Sequence, residues 1–273
     1  MIPSLRAPTL PPPRRTPLVR SGELWIKVES LQRTRSVKYR MVFARVREAL
    51  ESGALGEKTT LAEVSSGSTG VALAYVGKRL GLPVEIHAPS SIRREKLEAM
   101  IACGANLVLH DPRRPVPELI NEVRTKAARG LCWHLDQYSR GFASTCYDPL
   151  AEEIHDQLIP QGNPFPRTLV CPVGTGGLIQ GVGSWLRRRV PGVRIVAVEP
   201  AEGQAIDGTR NTALLHLGNK DPYDPNFPDE VVRVARPAEG VRLRGVTLGE
   251  SASAAVLAAG ARGGEPCLIL GPD

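Results

Sequence analysis

Short apolar runs, most of them rich in β-branched residues, alternate along this chain with longer stretches in which apolar residues recur every three or four positions. The first pattern predicts β-strands and the second predicts amphipathic helices. The predicted strands are 24–28, 60–64, 84–87, 107–110, 169–172, 195–198 and 267–270. The predicted helices are 36 to about 50, 69–80, 92–102, 116–128, 178–189 and 253–260. This alternation favours parallel sheets joined by right-handed crossovers.

Several residues mark the expected ends of these elements. Glycine follows three predicted helices, at Gly81, Gly104 and Gly130, where a left-handed residue commonly ends a helix. We expect Ser36 to cap the first helix. The proline-rich segment 11–15 predicts an extended arm. The stretch 203–236, rich in Pro, Asn and Asp, is predicted to be irregular.

Composition indicates an ordinary globular protein, with 42% hydrophobic and 23% charged residues. The net charge is 35 − 28 = +7, but the basic residues are scattered and the aromatic residues, 4% of the chain, do not interleave with them. This argues against nucleic-acid binding and favours anionic substrates and cofactors.

Other classes are disfavoured by what the sequence lacks. No run of 18 apolar residues predicts a membrane span, and the first 20 residues contain no continuous apolar stretch typical of a secretory signal. The five cysteines form an odd number without a C-x-x-C pair, which disfavours a metal site or a disulfide framework. A cytoplasmic location is the simplest expectation.

Lys38 is the first residue with candidate chemistry. It lies in Ser36-Val37-Lys38-Tyr39-Arg40, at the start of a predicted helix. The helix N-terminus and the neighbouring Arg40 both disfavour a further positive charge, which helps an amine to lose its proton. A neutral amine is what a Schiff-base lysine requires. Taken alone, however, Lys38 is more simply explained as one of the 35 basic residues of the chain, on a solvated helix face.

The second candidate is the serine loop, Ser65-Ser66-Gly67-Ser68-Thr69-Gly70, between a predicted strand and a predicted helix. Its hydroxyl and backbone N–H groups at a helix N-terminus suit a carboxylate. It lacks the lysine of a nucleotide P-loop, so triphosphate binding is disfavoured. The alternative is a turn that only caps the helix.

The third candidate is the glycine loop, Gly174-Thr175-Gly176-Gly177, again between a strand and a helix. Such a loop can present several N–H donors to a phosphate. A dinucleotide-binding fold is the rival, because Glu199 ends the next strand where a ribose-binding acid would fall. The full G-x-G-x-x-G pattern fails at Ile179, which makes that rival the weaker one.

The fourth candidate is Ser251, in Glu250-Ser251-Ala252-Ser253 before the last predicted helix. A serine in this position is most often only a helix cap.

These segments, in this order, resemble the fold-type II pyridoxal-phosphate (PLP) enzymes, specifically the cysteine synthase (O-acetylserine sulfhydrylase) and cystathionine β-synthase family. The resemblance covers about residues 15–260. Beyond the four candidates, three further segments carry it: Thr16-Pro17-Leu18-Val19, Lys27-Val28-Glu29-Ser30 and Val196-Ala197-Val198-Glu199-Pro200.

The resemblance implies a role for each candidate. Lys38 would hold the cofactor covalently and later move the substrate Cα proton, the glycine loop would bind the phosphate, and Ser251 would face the pyridine nitrogen as a neutral partner that leaves the ring largely unprotonated. Ser68 would lie beside the cofactor. The substrate carboxylate would be received by Ser65, Ser66, Gly67, Ser68, Thr69 and Gln137.

It also implies an α/β fold of two domains, like that of the tryptophan synthase β-subunit, with parallel sheets flanked by helices. Residues 1–39 and 137–273 would form a large PLP-binding domain, and 40–136 a small domain that closes over the substrate. A homodimer is implied, with the proline-rich arm as a candidate for reaching the partner.

The expected reaction is β-replacement on an O-activated serine such as O-acetylserine. Sulfide or a related nucleophile would add to an aminoacrylate intermediate, giving cysteine or an analogue. Two alternatives stay open: β-elimination, as in a cysteine desulfhydrase or a serine/threonine dehydratase, and a homologue that binds PLP without turnover.

Two departures from the family pattern bear on these alternatives. Ser68 stands where the family has an asparagine that contacts the cofactor's ring hydroxyl. In having a serine here, the chain resembles cysteine desulfhydrase-like relatives. The family's second glycine-rich loop is not recognisable after Pro200, and Gly208-Thr209-Arg210-Asn211 is the nearest candidate.

Overall fold

The structure, a computed structural model, describes residues 10–139, 143–159, 165–213, 222–237, 240–243 and 245–273. Contacts divide the chain into two compact units. Within the described residues, the first unit contains 10–13 and Lys38–Asp136, and the second contains Arg14–Val37 and the described part of Gln137–Asp273.

Twelve strands and eight α-helices lie in these described ranges. In chain order the strands are β1 Leu18–Ser21, β2 Leu24–Val28, β3 Leu61–Val64, β4 Val84–Pro89, β5 Asn106–His110, β6 Trp133–His134, β7 Thr168–Pro172, β8 Arg194–Pro200, β9 Glu230–Val234, β10 Arg242–Leu243, β11 Val246–Thr247 and β12 Cys267–Gly271. The helices are α1 Lys38–Glu51, α2 Ser68–Leu80, α3 Arg94–Ala102, α4 Val116–Ala128, α5 Ala143–Cys146, α6 Asp148–Leu158, α7 Gly177–Arg189 and α8 Glu250–Gly260.

A four-stranded parallel sheet in the order β5-β4-β3-β6 forms the centre of the first unit. All four residues of β3 are buried, as expected for a central parallel strand with both faces covered. Helix α2 packs closely against its neighbours at two glycines. A Cβ atom on Gly77 would come 2.1 Å from Val84, and one on Gly70 would come 2.5 Å from Met100, so neither position has room for a side chain.

A six-stranded sheet in the order β1-β2-β12-β7-β8-β9 forms the second unit, and only β1 is antiparallel to its neighbour. Its core joins the apolar strand residues to the small face of α8, which is rich in alanine. The buried core includes Ile26, Val28, Val170, Val196, Val198, Ala252, Ala255, Ala259 and Ile269. The α/β fold with parallel sheets flanked by helices is therefore confirmed.

A fully buried lysine helps to fix the N-terminal segment in the second unit. The ammonium group of Lys27 donates hydrogen bonds to the Thr16 carbonyl oxygen at 2.6 Å and to Gln157 at 2.8 Å, and it forms an ion pair with Glu153. A buried charge is tolerated only when it is paired and hydrogen-bonded in this way. These contacts explain why a lysine is buried at position 27 and give it a structural role.

Three structural predictions were wrong or incomplete. The stretch 203–236 is not irregular throughout, because β9 pairs in parallel with β8. The expectation missed α6, although Leu150, Ala151 and Ile154 bury one helical face. Ser36 does not begin the first helix, since α1 starts at Lys38 and the Ser36 hydroxyl instead donates to the Pro272 carbonyl at 2.9 Å.

Candidate cofactor and substrate site

The glycine loop connects the carboxyl end of β7 to α7 in the second unit. Gly176 is the N-cap of α7 with φ 86°, and within the described chain no side chain caps this helix. The first N–H groups of a helix have no partner inside the helix. The loop therefore offers backbone donors, with the positive end of the helix dipole behind them, which is the arrangement that binds phosphate.

Neighbouring residues hold the glycine loop closely. A Cβ atom on Gly174 would lie 2.4 Å from the Gly208 carbonyl oxygen, so no other residue fits without a backbone shift. The Arg210 backbone N–H donates to the Val173 carbonyl at 2.9 Å, and its Nε donates to the Gly174 carbonyl at 2.7 Å. The segment 208–211, predicted as the nearest match to the family's second glycine-rich loop, thus lies against the first glycine of this loop.

Tyr223 packs against the other end of the loop. A Cβ atom on Gly176 would lie 2.6 Å from the Tyr223 ring. Burial, followed by the nearby charge of Glu199, raises the pKa of Tyr223, so its phenol stays neutral. The loop is therefore bordered by a neutral aromatic group that adds no negative charge opposing a bound phosphate.

Ser251 lies in the first turn of α8 and is 1% exposed. Its hydroxyl donates a hydrogen bond to Oδ1 of Asp273 at 2.5 Å. Asp273 follows β12, and the glycine loop follows β7. Because β12 and β7 are parallel neighbours, Asp273 and the glycine loop lie beyond the same carboxyl edge of the second sheet. A Cβ atom on Gly208 would be 3.9 Å from Oδ2 of Asp273. The structure therefore brings the glycine loop, Gly208 and Ser251 together at the edge where parallel sheets bind ligands.

Lys38 and the serine loop belong to the first unit. Lys38 is the first residue of α1 and is half-buried, and Ser68 is the first residue of α2. The two helices pack together, with the Tyr39 and Tyr75 rings 5.7 Å apart and nearly perpendicular. Gln137, the remaining predicted substrate contact, is buried and belongs to the second unit.

The serine loop is partly satisfied by its own atoms. The Ser65 hydroxyl oxygen accepts hydrogen bonds from the N–H groups of Gly70 at 3.0 Å and Gly67 at 3.2 Å. Ser65 and Thr69 are buried, Ser66 is exposed and Ser68 is half-buried. Ser65 therefore caps the start of α2, which was the alternative interpretation of this loop. The hydroxyls of Ser66 and Ser68 are more accessible than that of Ser65.

A cation borders the serine loop. The ammonium group of Lys96, on α3, lies 3.4 Å from the Ser68 hydroxyl oxygen. It adds a positive charge near the N-terminus of α2, where the helix dipole already favours an anion. Lys96 thus strengthens the electrostatic preference of this loop for an anionic group.

A chain of titratable groups runs along β4 to the end of β5 in the first unit. Nδ1 of His87 lies 3.0 Å from Nε2 of His110, and Nε2 of His87 lies 2.8 Å from Glu85. Burial opposes ionisation of Glu85, but hydrogen bonds from Lys126 and His87 outweigh it and lower its pKa. Burial, then the charges of His87 and Arg114, lower the pKa of His110. His110 is therefore held in its neutral form.

Two residues near the predicted site were missed by sequence reasoning. Asp273 could have been found because it follows a predicted parallel strand, whose carboxyl end shares an edge with the glycine loop. Lys96 had no comparable signal, because its approach to Ser68 depends on how α3 packs beside α2.

The sequence profile of the family described as pyridoxal-phosphate dependent enzyme matches residues 9–267. The chain belongs to this family. The cofactor of the family is pyridoxal phosphate, and the glycine loop, Ser251 and Lys38 lie within the matched region.

Individual relatives and solved structures agree with this membership. The chain is 33% identical over 188 residues to cysteine synthase from Aquifex aeolicus, covering 66% of this chain and 54% of that one, so the match spans about half of that relative. It is 29% identical over 259 residues to cysteine synthase B from Escherichia coli, covering 91% and 83%. Cysteine synthase from Entamoeba histolytica superposes with a TM-score of 0.78 at 27% identity, covering 94% and 84%.

The residues of the second unit fit the phosphate and the ring of the family's cofactor. The glycine loop supplies backbone donors for a phosphate, and Gly174 and Gly176 leave no room for side chains. Ser251 supplies a buried hydroxyl on the same edge. Among the described residues, no group of three or more His, Cys, Asp or Glu side chains could hold a metal ion, and no helix is both long and apolar enough to cross a membrane.

Proposed function

We propose that this protein catalyses PLP-dependent β-replacement on an O-activated serine such as O-acetyl-L-serine, with sulfide or a related nucleophile, giving cysteine or an analogue. The observation that carries the proposal is the glycine loop at the start of α7, open to a phosphate, in a chain of the PLP family. The names of its relatives, cysteine synthase and O-acetylserine dependent cystathionine β-synthase, support this substrate class.

The site residues receive their roles from this proposal. The glycine loop holds the phosphate through its N–H groups, and Lys38 forms the covalent link to the cofactor. Ser251 faces the pyridine nitrogen. The serine loop receives the substrate carboxylate, with Gln137 as a further contact.

When bound, PLP supplies an electron sink for the pair left at the substrate Cα. The chain's own residues handle position and protons. Lys38 takes the Cα proton, and the first N–H groups of α2 hold the carboxylate so that this proton faces the amine. The cation of Lys96 favours the carboxylate in that position.

The test is the visible absorption of the purified protein before and after addition of O-acetyl-L-serine. We expect a band of bound PLP that changes on addition of the substrate, and cysteine formation when sulfide is present. Lys38→Ala should lose both the covalent cofactor and turnover. Lys58→Ala, at an exposed lysine of the same unit, is the matched control and should keep both. Normal turnover by Lys38→Ala would refute the assignment.

β-Elimination is the second candidate function, and the observation that favours it is Ser68. Serine is shorter than the family's asparagine, and its hydroxyl faces Lys96 at 3.4 Å. Release of pyruvate and ammonia from L-cysteine or L-serine, without product formation from added sulfide, would favour this reaction. A protein that binds PLP but transforms none of these substrates would be the non-catalytic homologue.

We further propose that the chain works in the cytoplasm as a homodimer, with residues 1–39 and 137–273 as the PLP-binding domain and 40–136 as a domain that closes over the substrate. Sedimentation of the holoenzyme at the mass of one chain would refute the dimer.

A further inference from the structure

Two residues other than glycine have positive φ within the described ranges, and each lies close to a point where the chain passes from one unit to the other. Arg35, with φ 57°, comes shortly before the crossing between Val37 and Lys38. Asp136, with φ 52°, immediately precedes the crossing to Gln137. Aspartate tolerates this conformation better than most residues, but it persists only where the surroundings hold it, and such positions cluster at functional sites.

The side chain of Asp136 is held by Arg124, on α4. Nε and Nη2 of Arg124 donate to separate carboxylate oxygens of Asp136, each at 2.9 Å. The two side chains are 21% and 22% exposed, so water screens this pair less than it screens a pair on the open surface. A bidentate pair fixes the direction of a carboxylate as well as its distance. Arg124 therefore sets the orientation of Asp136 and does more than neutralise its charge.

The neighbouring residues leave Asp136 little freedom. Leu135, just before it, is fully buried, and its N–H donates to the Ala62 carbonyl at 3.1 Å. Gln137, just after it, is 5% exposed. Helix α4 is itself anchored by the buried side chain of Val123, next to Arg124. Because the residues on both sides are buried, the conformation of Asp136 determines the path of the chain after β6.

We propose that Arg124 is a positioning residue for the substrate carboxylate, because by holding Asp136 in its left-handed conformation it fixes the backbone that carries Gln137. The inference rests on the proposed function, in which Gln137 contacts that carboxylate. Rotation about φ or ψ of Asp136 would move Gln137 directly, and a displacement of about 1 Å is enough to weaken a substrate contact. Arg124 touches neither substrate nor cofactor in this role and acts through Asp136.

The test measures the binding of L-alanine to the holoenzyme by the change in visible absorption. L-Alanine has the carboxylate of the substrate but no leaving group, so binding is separated from turnover. The variants are Arg124→Ala, Gln137→Ala and the two combined. Arg113→Ala is the matched control, because Arg113 makes the same bidentate pair with Asp111, at 3.0 and 2.6 Å, on the exposed surface of the same unit. Amide hydrogen exchange of the cofactor-free protein measures the mobility of Gln137 independently.

We expect Arg124→Ala and Gln137→Ala each to raise the Kd for L-alanine about tenfold, as for the loss of one hydrogen bond to a charged group. The double variant should bind no more weakly than Gln137→Ala, because Arg124 acts only through Gln137. In Arg124→Ala, KM for O-acetyl-L-serine should rise with little change in kcat, PLP should be retained, and the Gln137 amide should exchange faster. Arg113→Ala should change none of these.

Three outcomes would overturn the inference and leave the proposed function standing. They are additive losses in the double variant, an unchanged Kd in Arg124→Ala, and an unchanged Kd in Gln137→Ala. Absence of bound PLP from the wild type would overturn the proposed function and this inference with it. Should Arg124→Ala fail to fold, Arg124→Lys decides in its place, because it keeps the positive charge but cannot make the bidentate pair.

Discussion

The serine loop and the glycine loop have the same local topology but opposite internal chemistry. Each connects the carboxyl end of a parallel strand to the start of a helix. In the serine loop, the Ser65 hydroxyl already accepts two backbone N–H groups, and the Lys96 cation borders Ser68. In the glycine loop, Gly176 has no side chain with which to cap the helix.

This difference matches the two ligands we assign. A cofactor phosphate that stays bound through many turnovers needs preformed donors on a backbone that cannot shift, and the packing of Gly208 and Tyr223 against the glycine loop provides that. A substrate carboxylate must enter and leave, so it needs fewer fixed donors and gains from the nearby cation of Lys96. Loops with similar sequence patterns can therefore bind either a phosphate or a carboxylate, and the residues packed against each loop determine which.

The largest expected effect is that of Gly176→Ala. Gly176 has φ 86°, and the new methyl group would lie 2.6 Å from the Tyr223 ring. Strain and overpacking together should cost about 3 kcal/mol of stability and displace the phosphate donors. We expect a fall in the fraction of protein that retains PLP after dialysis, measured by visible absorption.

Gly192→Ala is the control for this change. Gly192 also has positive φ, 73°, but nothing lies within 4 Å of the added Cβ atom. It should lose some stability and keep its cofactor. Equal cofactor loss in the two variants would show that the glycine loop is not the phosphate site.

The next largest effect is expected from Ser65→Ala, which removes the acceptor used by the Gly67 and Gly70 N–H groups. Loss of such a cap costs about 1 kcal/mol. KM for O-acetyl-L-serine should rise while PLP retention stays normal, because the glycine loop is unchanged. Ser52→Ala, at an exposed serine of the same unit, should change neither property. Loss of PLP with unaltered KM would contradict the assignment.

A smaller effect is expected from Lys96→Ala. Removing a partly exposed cation beside Ser68 should weaken carboxylate binding by about 0.5–1 kcal/mol, which is about a two- to fivefold rise in KM. The effect should shrink at high salt because the charge is screened. Lys78→Ala, at an exposed lysine on α2, is the control. A change in kcat with unaltered KM would show that Lys96 does not act on substrate binding.

The smallest expected effect is a pH dependence confined to the first unit. His110 has a pKa lowered by burial, His87 and Arg114, with Glu122 opposing, so the unfolded chain binds this proton more readily than the folded one. The stability contribution is therefore fully present above the ordinary pKa of about 6.5 and is lost as the pH falls from there through the lower pKa of the folded state.

The measurement is urea unfolding of wild type and His110→Gln at about pH 7.5 and about pH 5.5, on either side of that ordinary pKa. Part of the acid-induced loss of stability should disappear in His110→Gln. Amide hydrogen exchange should show the acid-induced change in β4 and β5 rather than in the second sheet. An identical pH dependence in the two proteins would argue against this role for His110.

Local pattern was sufficient for much of the fold. Strand β2 and helix α4 have the bounds that their patterns predict, and most other elements differ by a few residues at their ends. Strand β9 was missed because its short alternating pattern lies among proline and aspartate residues, and it becomes a strand only by pairing with β8. Strand β6, two residues long, likewise depends on pairing with β3.

The α/β class, the family and the candidate residues could all be predicted from the chain alone, because hydrophobic periodicity and the glycines of close turns are local properties. The contacts that those residues make depend on packing between distant parts of the chain. Three such contacts are the hydrogen bond between Ser251 and Asp273, the capping of α2 by the Ser65 hydroxyl and the approach of Lys96 to Ser68. The physical reason is that hydrogen-bond direction and electrostatic fields depend on distances of a few ångströms between residues far apart in the chain.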